Sequence, residues 1–275
     1  MKRTLLLAIT LFASILSRAA LVDTATISSL SMHKTIKCVI ITPDAYKNKQ
    51  SRFPVVYLLH GYSDRYSSWI RQVPAIKGYA DQMQLIIVCP DGGFSSWYFD
   101  SPIDSSYKYD THVSVEVVGY VDAHYRTLAD RGHRAITGLS MGGHGALYLA
   151  LRHPGVFGAA GSMSGGVDMR PFPDEWDIAK RIGDAKTYSR NWERMSVAGM
   201  VGLNPSQAPA MMIECGTDDF FYKVNLQLHF KLLELKIPHD YIERPGKHTW
   251  GYWGNAIEYQ LLFFKKYFDI QVHTK

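Results

Sequence analysis

The run Gly138-Leu139-Ser140-Met141-Gly142 constrains this chain more than any other. Set between a short apolar strand and an Ala/Leu-rich helix, a Gly-x-Ser-x-Gly run describes a turn so tight that its middle residue sits under backbone strain. A side chain at either glycine would collide with the neighbouring strand or helix. The flanks have that character. His133-Arg134-Ala135-Ile136-Thr137 reads as a strand, and residues 142–152 read as a helix ending at His153-Pro154-Gly155. Such an elbow holds a serine hydroxyl clear of the sheet, beside a helix N-terminus where an oxyanion can be stabilised. Ser140 is therefore the candidate nucleophile.

The remaining pattern supplies a sheet for the elbow to sit on. Residues 24–43 read as two antiparallel strands, with alternation through Ile36-Lys37-Cys38-Val39-Ile40-Ile41. Residues 54–59 and 85–89 are continuous apolar runs, the mark of central strands covered on both faces, and a helical stretch at 74–83 joins them. Residues 114–125 read as a helix, 156–162, 210–215 and 240–243 as strands, and 221–235 and 250–268 as helices. Strands alternating with helices predict an α/β fold with a mostly parallel sheet wrapped on both faces. Residues 167–208, rich in Pro, Trp, Arg and Met, are the least regular part and read as an insertion near the site within one domain, 20–275.

The N-terminus reads as a signal peptide: Lys2 and Arg3, an apolar core over residues 5–16, then Ser17-Arg18-Ala19, with cleavage expected after Ala19 and Ala20 a close alternative. The apolar core is too short to cross a bilayer, which takes about 20 residues. The expected location is periplasmic or secreted. Removing residues 1–19 takes away Lys2, Arg3 and Arg18 and no acids, leaving 27 basic against 25 acidic residues. The formal charge of +5 therefore gives no reason to expect a nucleic-acid partner, and no Lys/Arg cluster interleaved with aromatics is present. Cys38, Cys89 and Cys215 each fall in an apolar run and read as buried strand residues, not a disulfide framework. No metal-ligand spacing occurs, and neither a metal nor a cofactor is expected.

A serine becomes a useful nucleophile at neutral pH only when a base takes its proton and an acid orients that base. On a sheet of this kind the order is serine, acid, histidine, each at a strand's C-terminal end. His144 and His153 lie within and at the end of the elbow helix, His229 falls mid-helix, and His239 opens the last strand. His248, in Gly246-Lys247-His248-Thr249-Trp250, sits on the loop after that strand and is the candidate base. For the acid, Asp218 and Asp219 follow the strand 210–215, and Glu214 lies within it. Turn spacing favours Asp219, three residues past Gly216, with Asp218 as a helix-capping neighbour. Two backbone N–H donors should face the oxyanion, those of Met141 and of Tyr62 in the His60-Gly61-Tyr62-Ser63 loop.

Gly138-Leu139-Ser140-Met141-Gly142-Gly143-His144-Gly145-Ala146-Leu147 resembles the elbow of the esterase D superfamily of α/β-hydrolases. That group includes S-formylglutathione hydrolases, feruloyl, acetyl xylan and tributyrin esterases, and mycolyltransferases. Leu59-His60-Gly61, Cys215-Gly216-Thr217-Asp218-Asp219 and Gly246-Lys247-His248-Thr249-Trp250 resemble its other landmarks in the same order, across residues 25–268. The resemblance implies Ser140 as nucleophile, Asp219 as acid, His248 as base, and the Tyr62 and Met141 amides as oxyanion hole. Mycolyltransferases resemble the chain less, since their triad acid is a glutamate. An exported chain also fits the cytosolic S-formylglutathione hydrolases poorly.

The expected activity is hydrolysis of feruloyl or acetyl esters on plant polysaccharide. Acyl transfer to a sugar hydroxyl, or carbohydrate binding on a non-catalytic hydrolase scaffold, are the rival readings. The aromatic loop Phe94-Ser95-Ser96-Trp97-Tyr98-Phe99 nominates Trp97 as a substrate contact. Trp176 and Trp192 are candidates for a lid or cleft wall, and Trp250 and Trp253 for packing of the last helix.

Overall fold

A computed structural model of the chain describes residues 20–273. The predicted signal peptide, 1–19, lies outside the described residues. Eight strands form one sheet in the order β1-β2-β4-β3-β5-β6-β7-β8. They are β1 (Leu21–Ser29), β2 (Lys34–Thr42), β3 (Val55–Leu59), β4 (Ile86–Pro90), β5 (Arg134–Gly138), β6 (Ala159–Met163), β7 (Ala210–Gly216) and β8 (Asp240–Arg244). β1 and β2 form an antiparallel hairpin whose second strand pairs antiparallel with β4. From β4 to β8 every pairing is parallel. With helices on both faces, this is the expected α/β-hydrolase architecture.

The continuous apolar runs are explained by two cores, one on each face. Val55, Tyr57 and Leu59 of β3 point into one core with Ile86 and Val88 of β4, while Val56, Leu58, Ile87 and Cys89 point into the other. The first core is closed by the elbow helix (Met141–Arg152) and the helix Tyr222–Glu234. The second is closed by the helices Ile76–Met83 and Trp250–His273. Trp253, Ile257, Leu261, Phe264 and Phe268 recur every three or four residues along the last helix, so one stripe of it is buried. Each such fully buried side chain contributes roughly 1.5–3 kcal/mol. Cys38, Cys89 and Cys215 are free and buried, in β2, β4 and β7 as expected.

One helix departs from the expected form. Residues 114–125 do not start a regular helix: a π-helical turn covers His112–Val117, and α-helix runs only from Val118 to His124. Ser114 Oγ donates to the Asp110 carbonyl at 2.6 Å, competing for an acceptor the helical ladder would otherwise use. Asp110 is held from the other side by Arg152 Nε at 2.6 Å and by His153. The wide turn is thus tied to the C-terminal end of the elbow helix. Segment 167–208 lies between β6 and β7 and carries the short helices Ile178–Ile182, Ser189–Met195 and Val197–Met200.

His144, one turn into the elbow helix, is fully buried in a box of Trp97, Phe99 and Tyr148 rings, with centroids 5.4–5.6 Å away. Burial pushes its pKa down to about 3, so the imidazole is neutral in the folded protein. The unfolded chain takes up that proton near the ordinary pKa of 6.5, so stability falls as pH drops from 6.5 toward about 3. His144→Leu is expected to lose less stability over this interval than the parent. Thermal midpoints of both proteins at pH 7 and at mildly acidic pH check this; equal acid sensitivity would contradict it.

Candidate active site

Ser140 sits at φ 54°, ψ −119°, a backbone conformation that L-residues avoid. The strain is held by close packing beneath it. A Cβ on Gly138 would stand 2.6 Å from the Gly142 carbonyl carbon, and one on Gly142 would stand 2.6 Å from the His60 carbonyl oxygen. The Ser140 N–H donates to the Met163 carbonyl at 2.9 Å, tying the turn to the end of β6. This is the tight elbow that the two glycines predict.

The loops after β7 and β8 bring the other two groups in. Gly216 has no side chain because the Gly246 carbonyl occupies the space one would need, and the Asp218 N–H donates to that carbonyl at 2.9 Å. The two loops therefore lie against each other. His248 Nδ1 stands 2.8 and 3.0 Å from the Asp219 carboxylate oxygens, and His248 Nε2 stands 2.9 Å from Ser140 Oγ. The carboxylate accepts from Nδ1–H, which leaves the Nε2 lone pair facing the serine hydroxyl. Asp219 is buried and also accepts from the Phe221 N–H at 2.8 Å.

The alternative acids are placed elsewhere. Glu214 is fully buried against Arg244 and the Tyr252 hydroxyl, with no contact to His248. Asp218 is exposed, and the expectation that it caps a helix fails: the following helix starts at Tyr222, and Asp219 takes the nearby Phe221 N–H. His229 and His239 pair with each other at 2.8 Å, away from the serine.

The loop after β3 is locked by His60. Gly92 N–H donates to His60 Nε2 at 2.7 Å, so Nδ1 carries the proton and donates to the Gly61 carbonyl at 2.8 Å. The Tyr98 hydroxyl donates to the His60 carbonyl at 3.0 Å. Among the described residues, the Tyr62 and Met141 N–H groups have no protein acceptor. They are available to an anionic oxygen. Sequence reasoning took His60 as part of this loop but missed its bracing role, which depends on a loop 32 residues away.

Around Ser140 and His248 lies a cleft of about 520 Å³ whose aromatic walls are Tyr62, Trp176, Phe220, Trp250 and Trp253. Phe220 stacks on Trp176, with centroids 5.4 Å apart, and lies 4.2 Å from the His248 ring. Trp253 meets the other side of that imidazole edge-on at 4.7 Å. Trp250 and Trp253 thus line the cleft as well as packing the last helix. Phe220 carried no distinguishing signal in the sequence beyond its place after Asp219.

Trp97 is a correction. It is buried, 1% exposed, and does not line the cleft. Its indole N–H donates to the Trp176 carbonyl at 3.1 Å, and its backbone N–H contacts Met141 Sδ at 3.3 Å. Within this loop Trp97 holds Trp176, which does reach the cleft. Trp192 is also buried, its indole N–H on the Gly183 carbonyl at 2.9 Å, and forms no cleft wall.

A strained serine, an imidazole and a buried carboxylate in series, facing two free amides, can transfer an acyl group through a covalent intermediate. Known proteins agree with that class. The Esterase family model matches residues 29–264 of the chain. The chain belongs to the Esterase family. It is 29% identical over 283 residues to the diacylglycerol acyltransferase/mycolyltransferase Ag85A of Mycobacterium gordonae, covering 90% of this chain and 81% of that protein. It is 33% identical over 134 residues to the esterase Rv1288 of Mycobacterium tuberculosis, spanning 48% of this chain but only 29% of that protein's length. Among solved structures it is similar to a ferulic acid esterase, with a TM-score of 0.79 and 29% identity, covering 90% of this chain and 98% of that one. An S-formylglutathione hydrolase of Staphylococcus aureus, at TM-score 0.77 and 22% identity, shares the fold.

Trp97→Phe keeps a ring in the buried site but removes the hydrogen bond to Trp176 and part of the indole that packs beside Gly166. The expected result is a KM raised about fivefold for esters with bulky aromatic acyl groups, the cost of one net hydrogen bond. Turnover of p-nitrophenyl acetate should be unchanged. Steady-state kinetics on both substrates check this, and an equal loss on both would assign Trp97 to general folding.

Proposed function

We propose that this chain is an exported serine esterase that releases hydroxycinnamoyl groups, feruloyl above all, from plant polysaccharide. Ser140 Oγ attacks the ester carbonyl while His248 Nε2 takes its proton, and Asp219 holds the imidazole tautomer and stabilises the imidazolium. The N–H groups of Tyr62 and Met141 receive the oxyanion. Collapse breaks the ester C–O bond as His248 returns its proton to the leaving alcohol. Water, deprotonated by the same imidazole, then frees the acid and regenerates Ser140.

The observation that carries the acyl choice is the aromatic wall. Tyr62, Trp176 and Phe220 offer ring faces and edges to a planar phenolic acid, a larger apolar surface than an acetyl group uses. The likeness to a ferulic acid esterase supports the same choice. The N-terminal charged, apolar and small-residue pattern supports export, and no described helix is long and apolar enough to cross a membrane. A second reading, transfer of the acyl group to a sugar hydroxyl in place of water, is supported by the likeness to the Mycobacterium gordonae acyltransferase/mycolyltransferase. Product analysis with added acceptor sugar separates the two.

Initial rates on methyl ferulate, p-nitrophenyl acetate, p-nitrophenyl butyrate and acetylated xylan test the proposal. Methyl ferulate is expected to be turned over fastest, and Ser140→Ala to abolish turnover. Turnover of the short acyl esters alone would overturn the feruloyl choice, and turnover indifferent to Ser140→Ala would overturn the mechanism.

The two aspartates are distinguished by substitution. Asp219→Asn is expected to lower kcat by about 10³- to 10⁴-fold by leaving the wrong tautomer on His248. Asp218→Asn should stay close to the parent. Equal losses in the two variants would contradict the assignment of Asp219.

A further inference from the structure

The side chains lining the cleft fall into two sets of different chemistry. In the first, Phe220 stacks on Trp176, and the Tyr62 hydroxyl reaches Asp177, a carboxylate neutralised by Lys180 at 2.8 Å. In the second stand Asp64, Thr249 and Trp250. Asp64 Oδ1 accepts from Ser68 Oγ at 2.9 Å, and the next residue, Trp69, meets the Trp250 ring at 5.1 Å, so this set is continuous. Among the described residues no Lys, Arg or His pairs with Asp64. The Asp64 carboxylate is therefore an uncompensated negative charge in the wall of the cleft, with Oδ2 free to accept.

Gly61 stands between this carboxylate and the serine. A Cβ placed on it would lie 3.5 Å from Ser140 Cβ, 3.6 Å from Asp64 Oδ2 and 2.7 Å from Leu139 Cδ1. Ser140 and Asp64 thus lie on either side of Gly61, which is packed too closely to carry a side chain. The apolar acyl group has the uncharged aromatic set available to it, which leaves the acidic set to the alcohol. An ionised carboxylate is an acceptor only, well suited to hydroxyl donors and hostile to a second anion.

On these grounds, and resting on the esterase reading above, we infer that Asp64 selects the alcohol. Its free oxygen accepts hydrogen bonds from an uncharged, polyhydroxylated alcohol such as a sugar, seated beside Trp250, and its charge turns away alcohols that carry a carboxylate.

Chlorogenate and its methyl ester share one acyl group and differ by one negative charge on the alcohol. At low ionic strength kcat/KM is expected to favour the methyl ester by about tenfold, and added salt should shrink that ratio. Asp64→Asn, which keeps the shape and the Ser68 contact, should bring the ratio near unity and remove its salt dependence. The same variant should lower kcat/KM by about tenfold on feruloyl-arabinose, with methyl ferulate within about twofold of the parent. O-acetyl-lactate and its methyl ester supply the same charge comparison with an acetyl group. Their ratio reads Asp64 even if hydroxycinnamoyl esters are refused, an outcome that would overturn only the feruloyl choice. A ratio unchanged by Asp64→Asn, or an equal loss on every ester in a variant that keeps the parent's thermal midpoint, would overturn the role of Asp64. Absence of turnover on all of these esters with Ser140 intact would overturn the esterase reading and this inference together.

Discussion

The strained backbone of Ser140 is the constraint on which the rest of the site depends. A residue at φ 54°, ψ −119° persists only where its surroundings over-determine it, at a cost of order 1–3 kcal/mol. Here β3, β5 and the elbow helix approach so closely that Gly138 and Gly142 cannot carry side chains, and the end of β6 takes the Ser140 N–H. The same closeness sets the Met141 amide beside the β3 loop, where the Tyr62 amide is. The two available N–H groups and the hydroxyl are positioned by one packing event, so none of them can be placed independently of the others.

The histidine depends on a second packing event. His248 lies on an exposed loop, and what steadies it is the contact of that loop with the one carrying Asp219, made possible by Gly216 against the Gly246 carbonyl. Rings then close around the imidazole: Phe220 at 4.2 Å, Trp253 at 4.7 Å and Phe221 at 5.6 Å. Apolar neighbours leave the carboxylate and the serine as the hydrogen-bond partners of the ring, so the tautomer follows from the packing.

Legibility in the sequence tracks how local each constraint is. Gly138, Ser140 and Gly142 report their own turn. The alternation of apolar residues across β3 and β4 reports both cores, because period two maps neighbouring residues onto opposite faces. Asp219 was readable from its distance to Gly216, and His248 from following the last strand. The fate of aromatic side chains was not readable. Trp97 and Trp176 have similar intrinsic preferences, yet one is buried and the other lines the cleft, and the contacts that separate them join segments far apart in sequence. The π-helical turn at His112–Val117 was hidden for the same reason, since it is tied to Arg152 and His153 through Asp110.

Left-handed backbone recurs at the segments that shape the cleft. Trp97 and Tyr98 are both left-handed, as are Trp176 and Asp177, and none of the four is glycine. The two pairs face each other: Trp97 Nε1–H reaches the Trp176 carbonyl, while Asp177 is held by Lys180 and by the Tyr62 hydroxyl at 3.5 Å. A side chain at Gly166 would strike the Trp97 ring at 2.8 Å, so β6's following loop is fitted to the same indole. The acyl-transfer groups thus come from strand ends that the sheet makes rigid. One part of the wall beside them, Trp176, comes from the 167–208 segment, held by a few polar contacts against left-handed backbone. Substitutions in that segment can reshape the wall without disturbing the serine, and the buried Trp97 marks the point where the two layers are joined.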